Sequence, residues 1–309
     1  MKKISIVTSC FNEVDLIENY EKEVVNELLK FTDYDWEIII SDNCSNDGTI
    51  EKLKEICKKN KKIKLLINSK NYGAERSGFN ALKYATGDVI ITLNADLEEP
   101  PSSIKDFVSL WEKGCGYAVG KKTKSNENIV IKNIKKLFYL IFNWLSETKI
   151  VSNSALLMLD KKNLDKIKNI HDPDPFLRGI IAETLGSPKF IELQKTTRKK
   201  GSSKHGFFDL YSVGATGIFK MSKAPMRIIT FLGFVLSFIF FIIFLYYLLY
   251  KLFFWSEFNL GIAPLIVFLC LLASFVLLAI GIIGEYILNI LYFSKNMPII
   301  VEEKINFDN

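Results

Sequence analysis

Two long uncharged runs constrain this chain more than any other feature. Ile228–Tyr250 has 23 residues without a charge and Phe258–Gly284 has 27, with only the short link 251–257 between them. At the rise of an α-helix the shorter run covers about 34 Å, enough for a hydrocarbon core of about 30 Å. The runs predict a two-helix transmembrane hairpin with spans over about 228–250 and 260–284. Lys220, Lys223 and Arg227 precede the first run, Lys295 and Lys304 follow the second, and Lys251 stands alone in the link. The positive-inside bias then predicts a multi-pass protein of the inner or plasma membrane, with both termini and the large first part cytoplasmic. A shorter segment, KNIKKLFYLIFNWLS at about 132–146, has lysines at one end and aromatic residues after them. That pattern predicts a helix lying in the membrane interface.

The remainder of the chain reads as a water-soluble domain. From Ile228 onward there are three Lys/Arg against five Asp/Glu, a balance of −2, so the rest carries +8 of the chain's net +6. The expected division is therefore a domain over 1–222 and a membrane hairpin with a short tail over 223–309. Five cysteines without a C-x-x-C pair, and only two histidines, argue against a zinc site and a disulfide scaffold. They favour a reducing compartment. The basic first part carries no aromatic–basic recognition pattern, so no nucleic-acid partner is expected.

Within 1–122 strand and helix signals alternate. Short β-branched runs at 4–9, 36–40, 63–67 and 88–93 read as strands, and helical spacing fills 12–29, 49–58 and 71–85. Such alternation predicts a doubly wound, mainly parallel α/β sheet. Ligands of such sheets sit at the carboxyl ends of the strands. Three polar clusters fall there: Cys10-Phe11-Asn12-Glu13, Asp42 to Asp47, and Asn94-Ala95-Asp96-Leu97-Glu98-Glu99. One such turn is ordinary, because Asp and Asn favour turns; three on one edge point to a polar ligand and a cation. Neither G-x-G-x-x-G after the first strand nor a G-x-x-x-x-G-K-[ST] loop is present, which excludes the usual dinucleotide and P-loop sites.

The segments SIVTSCFNE, SDNCSNDGT and LNADLEEPP resemble, in order and spacing, the nucleotide-sugar motifs of glycosyltransferase family 2. GSSKH at 201–205 after Arg198, KAPMR before the first uncharged run and GIIGEY at 281–286 resemble its polyprenyl-phosphate branch. The resemblance implies a GT-A-type domain that takes a nucleotide sugar and passes the sugar to a polyprenyl phosphate at the bilayer. It implies nucleotide-sugar contacts at Ser9, Asn12, Glu13, Asp42, Asn71, Asn94 and Asp96. Asp42 would accept a ring N–H of uracil or guanine, which leaves UDP and GDP donors both open. Asp96 stands at the second acid of the family's D-x-D and would ligate Mg²⁺ or Mn²⁺, with Asn94 and Glu98 as further oxygen ligands. Catalytic roles are implied for Asp96, Asp160, Arg198 and Lys204, the last two as phosphate-binding cations.

The chain also departs from the family pattern. Asn94 replaces the first acid of D-x-D, and in SNSALLMLD (152–160) Leu157 stands where the family has an arginine. Either change could weaken activity, which keeps an inactive sugar-nucleotide or lipid-phosphate binding protein as an alternative. A transferase with another acceptor is a second alternative. A processive synthase is disfavoured because no Q-x-x-R-W is present. Self-association is left open.

Overall fold

In the computed structural model the described residues are 1–122, 154–170, 172, 175–193, 224–253, 262–294, 300 and 302–307. The expected interfacial helix at 132–146, and both Arg198 and Lys204, lie outside them.

The β-branched runs become strands because alternate side chains can be buried on both faces of a sheet. The strands are β1 (Lys2–Cys10), β2 (Tyr34–Asp42), β3 (Ile63–Asn68), β4 (Val89–Thr92), β5 (Tyr117–Lys122), β6 (Ser154–Asp160), β7 (Lys189–Leu193) and β8 (Glu302–Ile305). They form one sheet in the order β7-β5-β6-β4-β1-β2-β3-β8. Its centre, β4-β1-β2-β3, is parallel, as the alternating pattern predicted. The flanks make it a mixed sheet, because β6 runs antiparallel to β4 and β5, and β8 runs antiparallel to β3.

Helices cover both faces. α1 (Ile17–Leu28), α2 (Thr49–Lys59) and α4 (Ser103–Glu112) present Ile17, Tyr20, Val24, Leu53, Ile104 and Phe107 to one face. There they meet Ile4, Ile6, Ile38, Ile40 and Ile91. α3 (Ala74–Lys83), α5 (Lys161–Lys168) and α6 (Leu177–Leu185) cover the other face, where Val7, Ile39, Leu66 and Ile90 pack on Ala81, Leu82, Leu164 and Ile180. In β2 the split is visible in single steps: Ile38 and Ile40 go to one core and Ile39 to the other. This is a GT-A-like α/β architecture.

The uncharged runs form two long helices, α7 (Ala224–Phe253) and α8 (Ile262–Ser294). Phe231, Phe238, Tyr246, Leu277 and Ile290 are exposed on them. Among the described residues, however, no helix is long and apolar enough to cross a membrane. The expected transmembrane hairpin and the multi-pass inner- or plasma-membrane placement are corrected accordingly. The tail brings a second difference. Sequence reading gave it no structural role, yet after α8 the chain returns to the sheet and adds β8 beside β3, with Glu302 opposite Asn68.

Candidate active site

Three of the four central strands, β1, β2 and β4, end in the polar clusters, and at each the backbone turns sharply. Asn12, Cys44 and Leu97 have φ of +55°, +64° and +53°, one beyond the end of each of β1, β2 and β4. Left-handed backbone costs a non-glycine residue about 1 kcal/mol or more. Such residues persist only where neighbours fix them, and at Asn12 the neighbour is the loop after β2. The Asn12 N–H donates to Ser45 Oγ (2.8 Å), and the Asn46 N–H returns a bond to Asn12 Oδ1 (2.9 Å). The Glu13 N–H donates to Thr49 Oγ1 (3.0 Å) and the Val14 N–H to Asp47 Oδ2 (3.1 Å). The loops after β1 and β2 are thus sewn together as one wall.

Asp42 lies beneath that wall, fully buried. Its Oδ1 accepts the Ser45 N–H at 2.8 Å, and its Oδ2 faces the Cys10 thiol at 3.6 Å. Burial raises the pKa of Asp42, against the hydrogen bonds from Ser45 and Cys10 that favour its charge. Burial likewise pushes the Cys10 thiol well up, with the Asp42 charge adding to it. Cys10 is therefore a protonated, donating thiol. Asp47 is drawn the other way: burial opposes its charge, but bonds from Thr49 and Val14 hold its pKa below the usual value.

Next to Asp42 runs a network of which sequence reasoning had named Asn71 and the Asp42–Asp47 cluster but not Asn68 or Ser77. Asn43 Oδ1 accepts from Asn68 Nδ2 (3.1 Å) and from the Tyr72 N–H (2.9 Å), while Asn43 Nδ2 donates to Asn71 Oδ1 (2.7 Å). Asn71 Oδ1 also accepts the Gly73 N–H at 2.9 Å. Behind them Ser41 Oγ and Ser77 Oγ lie 2.9 Å apart, and Asn68 Nδ2 reaches Ser77 Oγ at 3.1 Å. The available signal was the amide-rich spacing Asn43–Asn68–Asn71, whose members stand at adjacent strand ends. Ser9, half-buried, is in register with Ser41 on this same edge.

The third cluster holds the expected cation ligands. The Glu98 N–H donates to Asp96 Oδ1 at 3.1 Å, which fixes the acid's carboxylate in its turn. Asn94 Nδ2 donates to the buried Glu99 at 2.8 Å. That bond orients the amide so that its carbonyl oxygen is the end offered to a ligand. Glu99 is a second residue that sequence reading missed. Hard oxygen donors of this kind suit Mg²⁺ or Mn²⁺. Among the described residues no group of three or more His, Cys, Asp or Glu could hold a metal ion. The oxygen donors of Asp96 and Asn94 fit such a cation.

Asp160 does not join this edge. It pairs with Val89 at the opposite end of β4, and its Oδ1 caps α5 by accepting the Asn163 N–H at 2.7 Å. In this position Asp160 is a helix cap placed away from the three clusters. Leu157 lies within β6, its N–H bonded to Thr92 Oγ1 at 2.9 Å.

A twisted α/β sheet that gathers interlocked amide and acid loops at the carboxyl ends of its parallel strands is a polar-ligand-binding enzyme scaffold. Residues 5–180 match the family described as Glycosyl transferase family 2, and the chain belongs to that family: it is a glycosyltransferase. The bactoprenol glucosyl transferase of Shigella phage SfV is 28% identical over 306 residues, covering 98% of this chain and 99% of that protein. A prophage bactoprenol glucosyl transferase homolog of Escherichia coli K12 is 26% identical over 298 residues, covering 96% and 97%. An uncharacterized glycosyltransferase of Synechocystis sp. is 28% identical over 290 residues, covering 92% and 90%. Likeness to solved structures is more distant. The mannosyltransferase PcManGT from Pyrobaculum calidifontis, in complex with GDP-Man and Mn²⁺, is 15% identical with a TM-score of 0.45, covering 70% of this chain and 61% of that one.

Proposed function

We propose that the chain moves a sugar from a UDP- or GDP-linked donor to a polyprenyl phosphate, with inversion at the anomeric carbon. The observation that carries the reading is the coverage of bactoprenol glucosyl transferases over nearly the whole chain, 98% in one case. The interlocked loops at the strand ends support the donor half. In this reading the nucleoside lies against Asn12 and Glu13, and Asp42 accepts a ring N–H of the base in place of the Cys10 thiol. A thiol is a weak donor, so the exchange favours the base. Ser9, Asn71 and Asn94 complete the contacts to donor.

A lipid monophosphate is anionic at neutral pH and needs no strong base. One of its oxygens forms the new bond to the anomeric carbon while the bond to the diphosphate breaks. The nucleoside diphosphate departs with that electron pair, so stabilising its charge is the main task of the site. Asp96 and the Asn94 carbonyl would hold Mg²⁺ or Mn²⁺, which supplies positive charge to the diphosphate when bound. Arg198 and Lys204, in the basic stretch 195–204, are assigned to phosphate groups on their chemistry and motif.

The test is incubation with a panel of labelled UDP- and GDP-sugars and detergent-solubilised polyprenyl phosphate. Label is expected in the lipid extract for one donor. No lipid-linked label with any donor, alongside tight UDP or GDP binding, would instead support the binding-protein alternative.

A further inference from the structure

We infer that the C-terminal strand β8 is a positioning element for the donor site, acting through Glu302, Tyr84 and helix α3; this rests on reading the Asn43–Asn71 edge as that site. The tail is built into the sheet with more than strand pairing. Its residue Asn306 has φ of +63°, and its side-chain amide donates to both Cys57 O and Ile63 O at 2.8 Å. The tail is thereby tied to the end of α2 and the start of β3. Four residues earlier Glu302 stands opposite Asn68 and reaches over to α3. Its Oε1 accepts the Tyr84 hydroxyl, and its Oε2 accepts from Asn80 Nδ2 at 3.4 Å. Lys304 lies over the Tyr84 ring at 4.6 Å and Phe307 packs edge-on against it at 5.3 Å. Burial and the bond to Glu302 raise the Tyr84 pKa, so the hydroxyl keeps its proton and donates.

α3 is therefore held at its last turn by the tail, and at its first turn it carries the site. Ser77 binds Ser41 and Asn68, while Tyr72 and Gly73, just before the helix, bind Asn43 and Asn71. A helix is stiff over ten residues, so a shift at Tyr84 is transmitted to Ser77 as a rigid displacement. Asn68 adds a second route, because it neighbours Glu302 across the strand pair and touches both Asn43 and Ser77.

The test uses the full chain with Tyr84→Phe, Glu302→Gln and the double variant. Amide hydrogen exchange is followed at Tyr72, Gly73 and Ser77, and UDP and GDP affinities are measured by calorimetry. Tyr84→Phe is expected to speed exchange at those three amides and to weaken binding of the favoured nucleotide about fivefold, the size of one ordinary lost hydrogen bond. Because both changes act on the Tyr84–Glu302 bond, the double variant should lose less than the sum of the two single losses. Glu302→Gln keeps an acceptor for Tyr84 and should lie between. Faster exchange confined to 302–307, with Tyr72, Gly73 and Ser77 unchanged, would overturn the inference and leave the tail a local fastener. If the unsubstituted chain binds neither nucleotide, the donor-site reading fails, while the exchange data still decide whether tail and loop are coupled.

Discussion

The two ends of the central strands solve the problem of buried polar groups in opposite ways. At the amino end Glu37, about 1% exposed, is enclosed by charge. Lys3 and Lys64 each approach its Oε2 at 2.9 Å, and its Oε1 accepts from Ser5 Oγ, the Thr86 N–H and Thr86 Oγ1. The packing leaves no slack: a Cβ on Gly87 would meet Ser5 Oγ at 2.6 Å and Lys3 O at 2.8 Å. At the carboxyl end, among the described residues, the hydrogen-bond partners of Asp42 are Ser45 and the Cys10 thiol with no cation, and the surrounding groups are amides and hydroxyls. Burial is opposed by ion pairs and hydrogen bonds at one end and left dominant at the other. Hence Glu37 is held at about 2 while Asp42 is raised. A closed ion cluster stabilises the fold; a carboxylate held by weak, replaceable donors is suited to exchanging partners.

The contrast breaks most visibly at the metal ligand. Asp96→Ala should lower transfer by at least about a hundredfold, the scale for removing one electrostatic stabiliser of a transition state. Thermal stability should barely move, since the turn keeps its backbone. Asn94→Asp should keep activity and tighten Mn²⁺ binding. Undiminished turnover of Asp96→Ala in excess EDTA would remove the cation from this reading.

At the other end the effect should be on stability alone. Burial works against Glu37's charge, but Ser5, Lys64, Thr86 and Lys3 bring its pKa to about 2 from 4.5. A depressed carboxyl pKa stabilises the fold above the unfolded value and loses that contribution as pH falls from about 4.5 towards 2. The linkage amounts to about 3 kcal/mol. Glu37→Gln should cost a similar amount at pH 7 by denaturant unfolding, and its stability should depend less on pH across that window. Donor KM per folded molecule should stay as it was; a large rise in KM would show that the two ends are not independent.

Much of this fold was legible because it rests on local periodicity. The β-branched runs at 4–9 and 36–40, alternating with helical spacing, pointed to the parallel centre, and the helical spacing over 49–58 became α2, preceded by Gly48 at a φ of +95°. β8 was hidden because it is four residues long and EEKI shows no apolar alternation; it is held by pairing with β3 and by Asn306. The transmembrane hairpin was read from uncharged length, and the description of α7 and α8 does not bear it out. In the site, Asn12, Glu13, Asp42 and Asp96 fell on one edge as expected, because strand ends in a parallel sheet share an edge. Asp160 did not, since β6 runs antiparallel and its last residue lands at the opposite end. Asn68 and Ser77 could be found only from contacts with Ser41 and Asn43 at the end of β2.

Removing the amide that joins the loops should have an intermediate effect. Asn43→Ala cuts the bonds to Asn68, Tyr72 and Asn71 that join the two loops. A loss of about 1–3 kcal/mol in stability is expected from denaturation, together with a raised donor KM. Asn43→Asp should rescue only in part, because a carboxylate can accept from Tyr72 and Asn68 but cannot donate to Asn71. A variant with wild-type KM would reduce the network to scaffolding.

The smallest and most telling change is Cys10→Ser. The residue is buried with its Sγ 3.6 Å from Asp42 Oδ2, and serine fits the same space. A hydroxyl is a stronger donor than a thiol, so it should hold Asp42 more firmly and draw its raised pKa down. Unliganded stability should rise slightly or stay level. If Asp42 must release its partner to accept a base N–H, nucleotide binding should weaken about threefold to tenfold, the cost of competing with one good hydrogen bond. Cys10→Ala removes the competitor and should bind nucleotide at least as tightly as the thiol protein, despite a small loss of stability. Equal affinities in the serine, alanine and cysteine forms would mean that Asp42 keeps its present bonds throughout, and serves the site only by shaping the loop above it.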